Sequence, residues 1–143
     1  MYQLETEAFF DSAHFLADYF GKCENLHGHR WRIVCRIGAQ TLQEAGSEAS
    51  MVCDFGRFKE AVRSIADSLD HTFLVEEGTL APETLTALEA EGFSLTLLPF
   101  RTTAENLATH VYERLKEAGF DPTRVEVDET PNNRAIYEPE LER

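Results

Sequence analysis

The chain has 143 residues and carries 26 acidic against 13 basic side chains, for a formal net charge of −13 at pH 7. The electrostatic field of such a negative chain repels phosphate backbones, and the sequence shows no basic patch. The composition therefore argues against nucleic-acid binding. The length is typical of one domain, and we expect residues 1–143 to share a single hydrophobic core.

The sequence contains no run of about 18 apolar residues, which is the length that a membrane span requires. Its first residues, "MYQLETEAFF", lack the basic and apolar regions of a secretory signal. An odd number of cysteines, three, fits a reducing compartment better than a disulfide framework. We therefore expect a cytoplasmic protein without a membrane partner.

Two N-terminal strands are predicted by apolar residues that alternate with polar ones. The even positions from Tyr2 to His14 form one apolar face, and the odd positions from His27 to Ile37 form another. If the strands pair, opposite charges meet across them on the outer face, where such pairs contribute about 0.2–1 kcal/mol each. The predicted partners are Glu5, Glu7, Arg32 and Arg36.

Two longer helices are predicted further along the chain. An apolar residue recurs with helical spacing from Phe58 to Leu69, and this helix ends at "LDH". Thr102 and Glu105 have the spacing of a capping box, and the helix that they begin ends before Gly119.

The other predicted elements are short. Residues 40–50 are small and polar and indicate a loop, and a shorter helix over 82–91 precedes a strand over 94–100. Residues 131–133 indicate the turn of a C-terminal hairpin. The order predicts an α+β fold with helices on one face of an antiparallel sheet.

Three histidines are candidate metal ligands. His27 and His29 lie two apart on a strand, so both side chains project to one side, and His14 has the same facing on the predicted neighbouring strand. Three neutral imidazoles with one open position are typical of a catalytic zinc site. The alternative is a group of partly buried histidines that are hydrogen-bonded to the backbone.

Cys23 follows Gly21 and Lys22 in the loop before the second strand. A nearby divalent ion, a lysine and a histidine each lower the pKa of a thiol, which would make Cys23 a base or nucleophile at neutral pH. Alternatively, Cys23 is a fourth metal ligand and the site is structural. Cys35 alternates with isoleucines and is predicted to be buried.

Two further features carry candidate chemistry. Asp70 and His71 are adjacent at a helix end, where a carboxylate can fix the tautomer of an imidazole for proton transfer, although surface charge pairs of this kind are common. Glu129 shares a predicted strand face with Val125 and Val127. A carboxylate there either binds a flat edge with two N–H donors or marks the frayed end of the strand.

These residues lie in several short motifs: "CENLHGH", "FDSAHFL", "MVCDFGRFK", "LDH", "TAENLA" and Glu129-Thr130. With these motifs in order, the sequence resembles the 6-pyruvoyl-tetrahydropterin synthase family along nearly the whole chain. The resemblance implies the tunnelling fold (T-fold), a ββ(α)αββ unit that assembles as a trimer or hexamer with active sites at subunit interfaces. Within the family, it favours the branch that forms 6-carboxytetrahydropterin in queuosine biosynthesis.

The resemblance also implies roles for single residues. His14, His27 and His29 would hold Zn²⁺, with Cys23 as general base and Asp70 and His71 supplied by a neighbouring subunit. Glu129 would anchor the pterin ring, and Thr103 and Lys22 would contact the substrate, 7,8-dihydroneopterin triphosphate. Arg30 and Arg101 are further candidates for the triphosphate.

Some residues depart from the family pattern. Val75 stands where the family often has asparagine, and the segment from Glu76 to Phe100 is longer than in short members. Three alternatives therefore stay open: a pyruvoyl product, an aldolase-like activity on dihydroneopterin, and a non-enzymatic module stabilised by a closed zinc site.

Overall fold

The computed structural model describes residues 1–140 of the chain. Within this range there are six strands and three α-helices. In chain order, these elements are β1 (Tyr2–His14), β2 (His27–Ala39), α1 (Phe55–Leu69), β3 (Thr72–Glu76), α2 (Pro82–Ala90), β4 (Leu95–Leu98), α3 (Ala104–Glu117), β5 (Pro122–Thr130) and β6 (Asn133–Tyr137).

All six strands form one sheet, in the order β4-β3-β1-β2-β5-β6. β1 and β2 pair antiparallel along their full length, from Tyr2 opposite Ala39 to His14 opposite His27. β5 pairs antiparallel with β2 and β6, whereas β3 and β4 add to the other side of β1 as parallel strands. The α+β class and the C-terminal hairpin are confirmed, and the sheet is mixed rather than wholly antiparallel.

β3 is the element that the sequence analysis missed. Its five residues follow the end of α1 almost directly, and they show no alternation, because Leu74 and Val75 are both buried. A parallel strand covered on both faces is expected to be continuously apolar, and so short a run has no period to detect. Its pairing with β1 positions the residues just before it, Asp70 and His71, beside β1.

The hydrophobic core lies between the sheet and the helices α1 and α3. The predicted apolar stripe of α1 is buried, as are Leu107, Val111 and Leu115 of α3. These side chains pack against the inward residues of the sheet, which include Phe10, Trp31, Ile33, Val125 and Val127. Both helices therefore lie where the helical spacing predicted, and residues 40–50 contain no helix or strand. No helix within residues 1–140 is long and apolar enough to cross a membrane.

The opposite face of the sheet carries charged side chains. Glu5 lies opposite Arg36 with an Oε1–Nη2 distance of 3.1 Å, and Glu7 forms an ion pair with Arg32. The predicted charge pairs across β1 and β2 are therefore confirmed. Arg32 also contacts Asp128 of β5, which is buried, so one guanidinium joins three strands.

The predicted capping box at the start of α3 is wrong by one residue. Thr103 is the N-cap, and its hydroxyl accepts a hydrogen bond from the N–H of Asn106 at 3.2 Å. Thr102 cannot serve as the cap because its side chain is 1% exposed and faces His14. The predicted substrate residue Thr103 thus has a structural role in this chain.

We expect Thr103→Ala to lower the free energy of unfolding by about 1 kcal/mol, because the first turn of α3 loses its side-chain acceptor. Urea denaturation of the purified protein measures this change. Thr109→Ala makes the same chemical change within α3, where alanine is the better helix former, and should cause no comparable loss. Equal losses in the two variants would contradict a capping role for Thr103.

Candidate metal centre and active site

The hairpin of β1 and β2 brings the three predicted histidines together. His14 lies opposite His27, and Ser12 lies opposite His29, so all three rings project from the core face at the end of the hairpin. One ring nitrogen of each histidine lies within 4.8 Å of those of the other two. The prediction that these histidines form a group able to hold a metal ion is confirmed.

Backbone carbonyl groups orient two of these rings. His14 Nδ1 lies 2.9 Å from the carbonyl oxygen of Thr102, and His27 Nδ1 lies 2.6 Å from that of Asn25. Because a carbonyl oxygen only accepts hydrogen bonds, each Nδ1 carries the proton and donates it. In a neutral ring, Nε2 then presents a lone pair to the centre of the group.

The Nε2 atoms of His14, His27 and His29 are all buried, and they have no hydrogen-bond partner within residues 1–140. Buried polar atoms without a partner are costly, and three of them at one point call for a species that accepts their lone pairs. Imidazole nitrogen is a common ligand of zinc, copper, iron and nickel ions. The residues therefore fit a metal ion, which would occupy the space between the three rings.

Burial keeps two of these histidines in the neutral form. Loss of hydration, together with the neighbouring His27 and His29, lowers the pKa of His14 to about 4, although the hydrogen bond to the carbonyl oxygen of Thr102 acts in the opposite direction. Burial also lowers the pKa of His29, and this effect outweighs the opposite effect of the nearby Glu129 carboxylate, while His27 adds a smaller lowering. Both rings are thus uncharged at neutral pH without a metal, which is the form that a metal ion binds.

Cys23 lies in a short 3₁₀ turn, Lys22–Glu24, and is partly exposed. Its carbonyl oxygen accepts a hydrogen bond from the N–H of Leu16 at 2.9 Å, which fixes the turn beside the end of β1. Within residues 1–140, its sulfur is not part of the group formed by the three histidines. This arrangement favours three protein ligands and an open position over a closed structural site.

The other two thiols are buried in the core, as predicted for Cys35. Burial raises the pKa of Cys35 to about 12, and burial also raises that of Cys53. Neither thiol forms a thiolate readily at neutral pH, so Cys23 is the reactive cysteine that the structure favours.

Asp70 and His71 form a hydrogen-bonded pair directly after α1. His71 Nδ1 lies 2.9 Å from Asp70 Oδ2, and the other oxygen of Asp70 accepts a hydrogen bond from the N–H of Asp11 at 2.8 Å. The bond to Asp70 raises the pKa of His71, and the bond from Asp11 lowers the pKa of Asp70. The pair therefore favours a protonated imidazole, which is 79% exposed to solvent.

The Asp70–His71 pair and the three histidines are separate groups within one chain. Asp70 and His71 gather around Asp11, whose side chain alternates with His14 along β1 and so lies on the other face of the sheet. A cavity of about 680 Å³ borders both groups, since His29 and His71 are among its lining residues. Apolar side chains form much of its remaining wall: Leu26, Phe73, Leu88 and Phe93.

Glu129 of β5 lies beside the histidines. Its Oε1 is 3.3 Å from His29 Nε2 but without the geometry of a hydrogen bond, and an irregularity between Asp128 and Thr130 shifts the register of β5 at this point. A second cavity, of about 510 Å³, is lined by both Glu129 and His29. The carboxylate thus faces an open space next to the candidate metal centre.

The remaining candidate substrate residues differ in whether their side chains already contact other groups of the protein. Lys22 is exposed in the same turn as Cys23. Arg101 donates a hydrogen bond to the carbonyl oxygen of Ala17 at 2.9 Å, and the guanidinium of Arg30 lies 4.8 Å from the centre of the Phe9 ring. Arg30 lines both cavities, and Lys22 lies beside Cys23, so these two cations are better placed to meet a ligand than Arg101.

Sequence reasoning missed the groups that orient the histidines. Thr102 holds His14 with both its carbonyl oxygen and, at 3.2 Å, its hydroxyl. Asn25 acts through its backbone, which leaves no trace in a side-chain pattern. The first threonine of "RTTAEN", Thr102, which is not required for the cap, was the sequence signal for this contact.

Comparison with known proteins identifies the family. The sequence matches the 6-pyruvoyl tetrahydropterin synthase family over residues 3–140, and the chain belongs to this family. Enzymes of this family are lyases that act on pterins.

Two relatives share the name 6-carboxy-5,6,7,8-tetrahydropterin synthase. The one from Haemophilus influenzae is 33% identical over 141 residues, which cover 96% of this chain and 99% of that protein. The one from Aquifex aeolicus is 34% identical over 130 residues, with coverages of 83% and 77%.

A solved structure shows the same fold. The crystal structure of 6-pyruvoyl tetrahydropterin synthase from Plasmodium vivax has a TM-score of 0.70 to this chain. The two share 20% sequence identity, and the match covers 98% of each chain. The T-fold that the sequence resemblance implied is therefore confirmed.

Proposed function

We propose that the protein is a zinc-dependent lyase of queuosine biosynthesis. It would convert 7,8-dihydroneopterin triphosphate to 6-carboxytetrahydropterin and release acetaldehyde and triphosphate. The observation that carries this proposal is the convergence of three buried Nε2 atoms that have no hydrogen-bond partner in the described part of the chain. The names of the relatives from Haemophilus influenzae and Aquifex aeolicus support the choice of product.

His14, His27 and His29 would hold the zinc ion. Bound zinc supplies a Lewis acid that acidifies the hydroxyl groups of the substrate side chain and stabilises negative charge on oxygen. The chain contributes by fixing the rings in advance, because Thr102 and Asn25 set the tautomers of His14 and His27. A site held in this way loses little free energy to reorganisation when the substrate binds.

Cys23 would act as the general base on the substrate side chain, and His71 would carry a proton to or from it. Asp70 keeps the Nδ1 atom of His71 hydrogen-bonded, which would leave Nε2 as the atom that exchanges the proton. His71 is largely exposed and belongs to a group separate from the three histidines. We therefore propose that it acts in the active site of a neighbouring subunit, in a trimer or hexamer.

Glu129 would anchor the pterin. A pterin presents adjacent N–H groups on one edge of its ring, and a carboxylate accepts two such bonds in parallel. The substrate's triphosphate must also overcome a net charge of −13, so it requires nearby cations. The candidates are Lys22, which is exposed next to Cys23, and Arg30, which lines both cavities.

We expect Glu129→Gln to raise KM for the pterin substrate by about 10–100-fold, because one charge-assisted hydrogen bond contributes about 1.5–3 kcal/mol. Steady-state kinetics with parallel zinc analysis measures the effect. Glu113→Gln removes the same charge from an exposed site on α3 and should leave KM unchanged. A loss of zinc at unchanged KM would instead make Glu129 a partner of the metal ligand His29.

The reaction is tested by mass spectrometry of the products after 7,8-dihydroneopterin triphosphate is added to the zinc-loaded protein, with acetaldehyde assayed in parallel. We expect a carboxytetrahydropterin and one acetaldehyde per turnover. A pyruvoyl product without acetaldehyde would keep the site and overturn the proposed reaction. Unchanged substrate in the presence of bound zinc would indicate a binding module rather than an enzyme.

A further inference from the structure

Asp11 contacts both members of the Asp70–His71 pair. Its N–H donates a hydrogen bond to Asp70 Oδ1 at 2.8 Å, and its carbonyl oxygen accepts one from the N–H of His71 at 2.6 Å. A carboxylate oxygen of Asp11 also lies within 4.8 Å of both a carboxylate oxygen of Asp70 and a ring nitrogen of His71. One residue of β1 therefore bonds to both members and adds a charge beside them.

The backbone bond to Asp11 holds an unusual conformation. His71 has a φ angle of +52°, which is uncommon for residues other than glycine, although histidine adopts it more often than most. The conformation turns the chain sharply between the end of α1 and the start of β3. The carbonyl oxygen of Asp11 fixes the His71 backbone at this turn, and with it the direction of the imidazole.

The charged side chains near His71 in the described part of the chain come from the end of α1 and from two strands. Asp70 comes from the end of α1, Asp11 comes from β1, and Arg30 of β2 lies behind Asp11 at 3.9 Å from its Oδ2. His29 of β2 lines the same cavity, and Ser94, next to β4, brings no charge. Two carboxylates thus face the imidazole, and the one cation in this group is closest to Asp11.

We propose that Asp11 is a positioning residue for His71, whose main chain fixes the imidazole and whose carboxylate favours its protonated form. This proposal rests on the proposed function in one respect, which is that the proposed reaction uses His71 as its proton carrier. The charge effect itself is a property of the folded chain. It is limited by solvent, because the Asp11 side chain is 49% exposed.

The test is an NMR titration of the His71 ring in the zinc-loaded protein, with the signal assigned by its absence in His71→Gln. In Asp11→Asn, the main-chain bonds remain and the charge is lost, so we expect the pKa of His71 to fall by about 0.5 unit. Asp70→Asn should lower it further, because the direct hydrogen bond is the larger cause. Asp11→Glu keeps the charge and should restore the pKa of His71.

Glu5→Gln is the matched control, because it removes one negative charge from the same face of the same strand. Glu5 lies six residues from Asp11, about 20 Å away along β1, which exceeds the screening length of about 8 Å at physiological salt. An unchanged pKa of His71 in Asp11→Asn, or an equal fall in Glu5→Gln, would overturn the proposal.

The same variant has a kinetic consequence. If His71 acts as proposed, the alkaline limb of the kcat/KM profile, which reports the free enzyme, should move to lower pH by the same amount in Asp11→Asn, at unchanged KM. A protein without turnover would contradict the proposed function but leave the NMR result intact, so the two failures are distinguishable. A loss of kcat without movement of the limb would mean that the Asp11 carboxylate does not act through the protonation of His71.

Discussion

Cys23→Ala is expected to retain one zinc ion per chain and to lose turnover by about 10²–10⁴-fold, the range for removal of a general base. The physical reason is that the sulfur of Cys23 lies outside the group formed by the three histidines, so the metal ligands stay complete. Zinc analysis of the purified variant and its kcat on 7,8-dihydroneopterin triphosphate measure the two effects together.

Cys53→Ala is the control for this experiment. Cys53 is a buried thiol whose pKa is raised, so its removal should lower stability somewhat and leave turnover intact. If Cys23→Ala lost its zinc and its fold together, Cys23 would be a structural ligand, and the account of an open catalytic position would be wrong.

His27→Ala is expected to weaken zinc binding by more than about 100-fold, since loss of an outer-shell partner alone costs 10–100-fold. Turnover should fall in proportion to the zinc lost. His27 is the suitable ligand to change because it is less buried than His14, so the fold is less affected. Competition with a chelator of known affinity gives the change in zinc binding.

His110 offers a matched comparison, because it lies on α3 and its ring packs 5.4 Å from that of Phe100. His110→Gln removes an imidazole from the same chain and should keep full zinc affinity. Unaltered zinc affinity in His27→Ala would contradict the proposed metal centre.

The elements with a clear period were predictable from sequence. Polar and apolar residues alternate along the 13 residues of β1 and of β2, and the apolar stripes of α1 and α3 repeat over about three turns. The buried faces of these elements could therefore be predicted directly. That is also why the histidine group was predictable: its members share those faces. β3 has five residues, and polar and apolar residues do not alternate along it. Its position in the sheet is defined by its parallel pairing with β1.

Only those parts of the site that depend on side-chain identity were predictable from the sequence. Thr102 and Asn25 act through carbonyl oxygens that every residue type possesses, so no pattern of side chains marks them. No sequence pattern marked Asp11, because its contacts with His71 depend on the unpredicted turn into β3. Tertiary backbone contacts of this kind cannot be inferred from the spacing of residues.

The proposed function depends most on three imidazoles that hold a metal ion used in the reaction. It is tested by titrating the chelator-treated protein with zinc while product formation and circular dichroism are followed together. We predict a folded protein without activity at the start, and activity that rises to a maximum at one zinc ion per chain. Full turnover without zinc, or an unfolded metal-free chain, would contradict a catalytic metal centre.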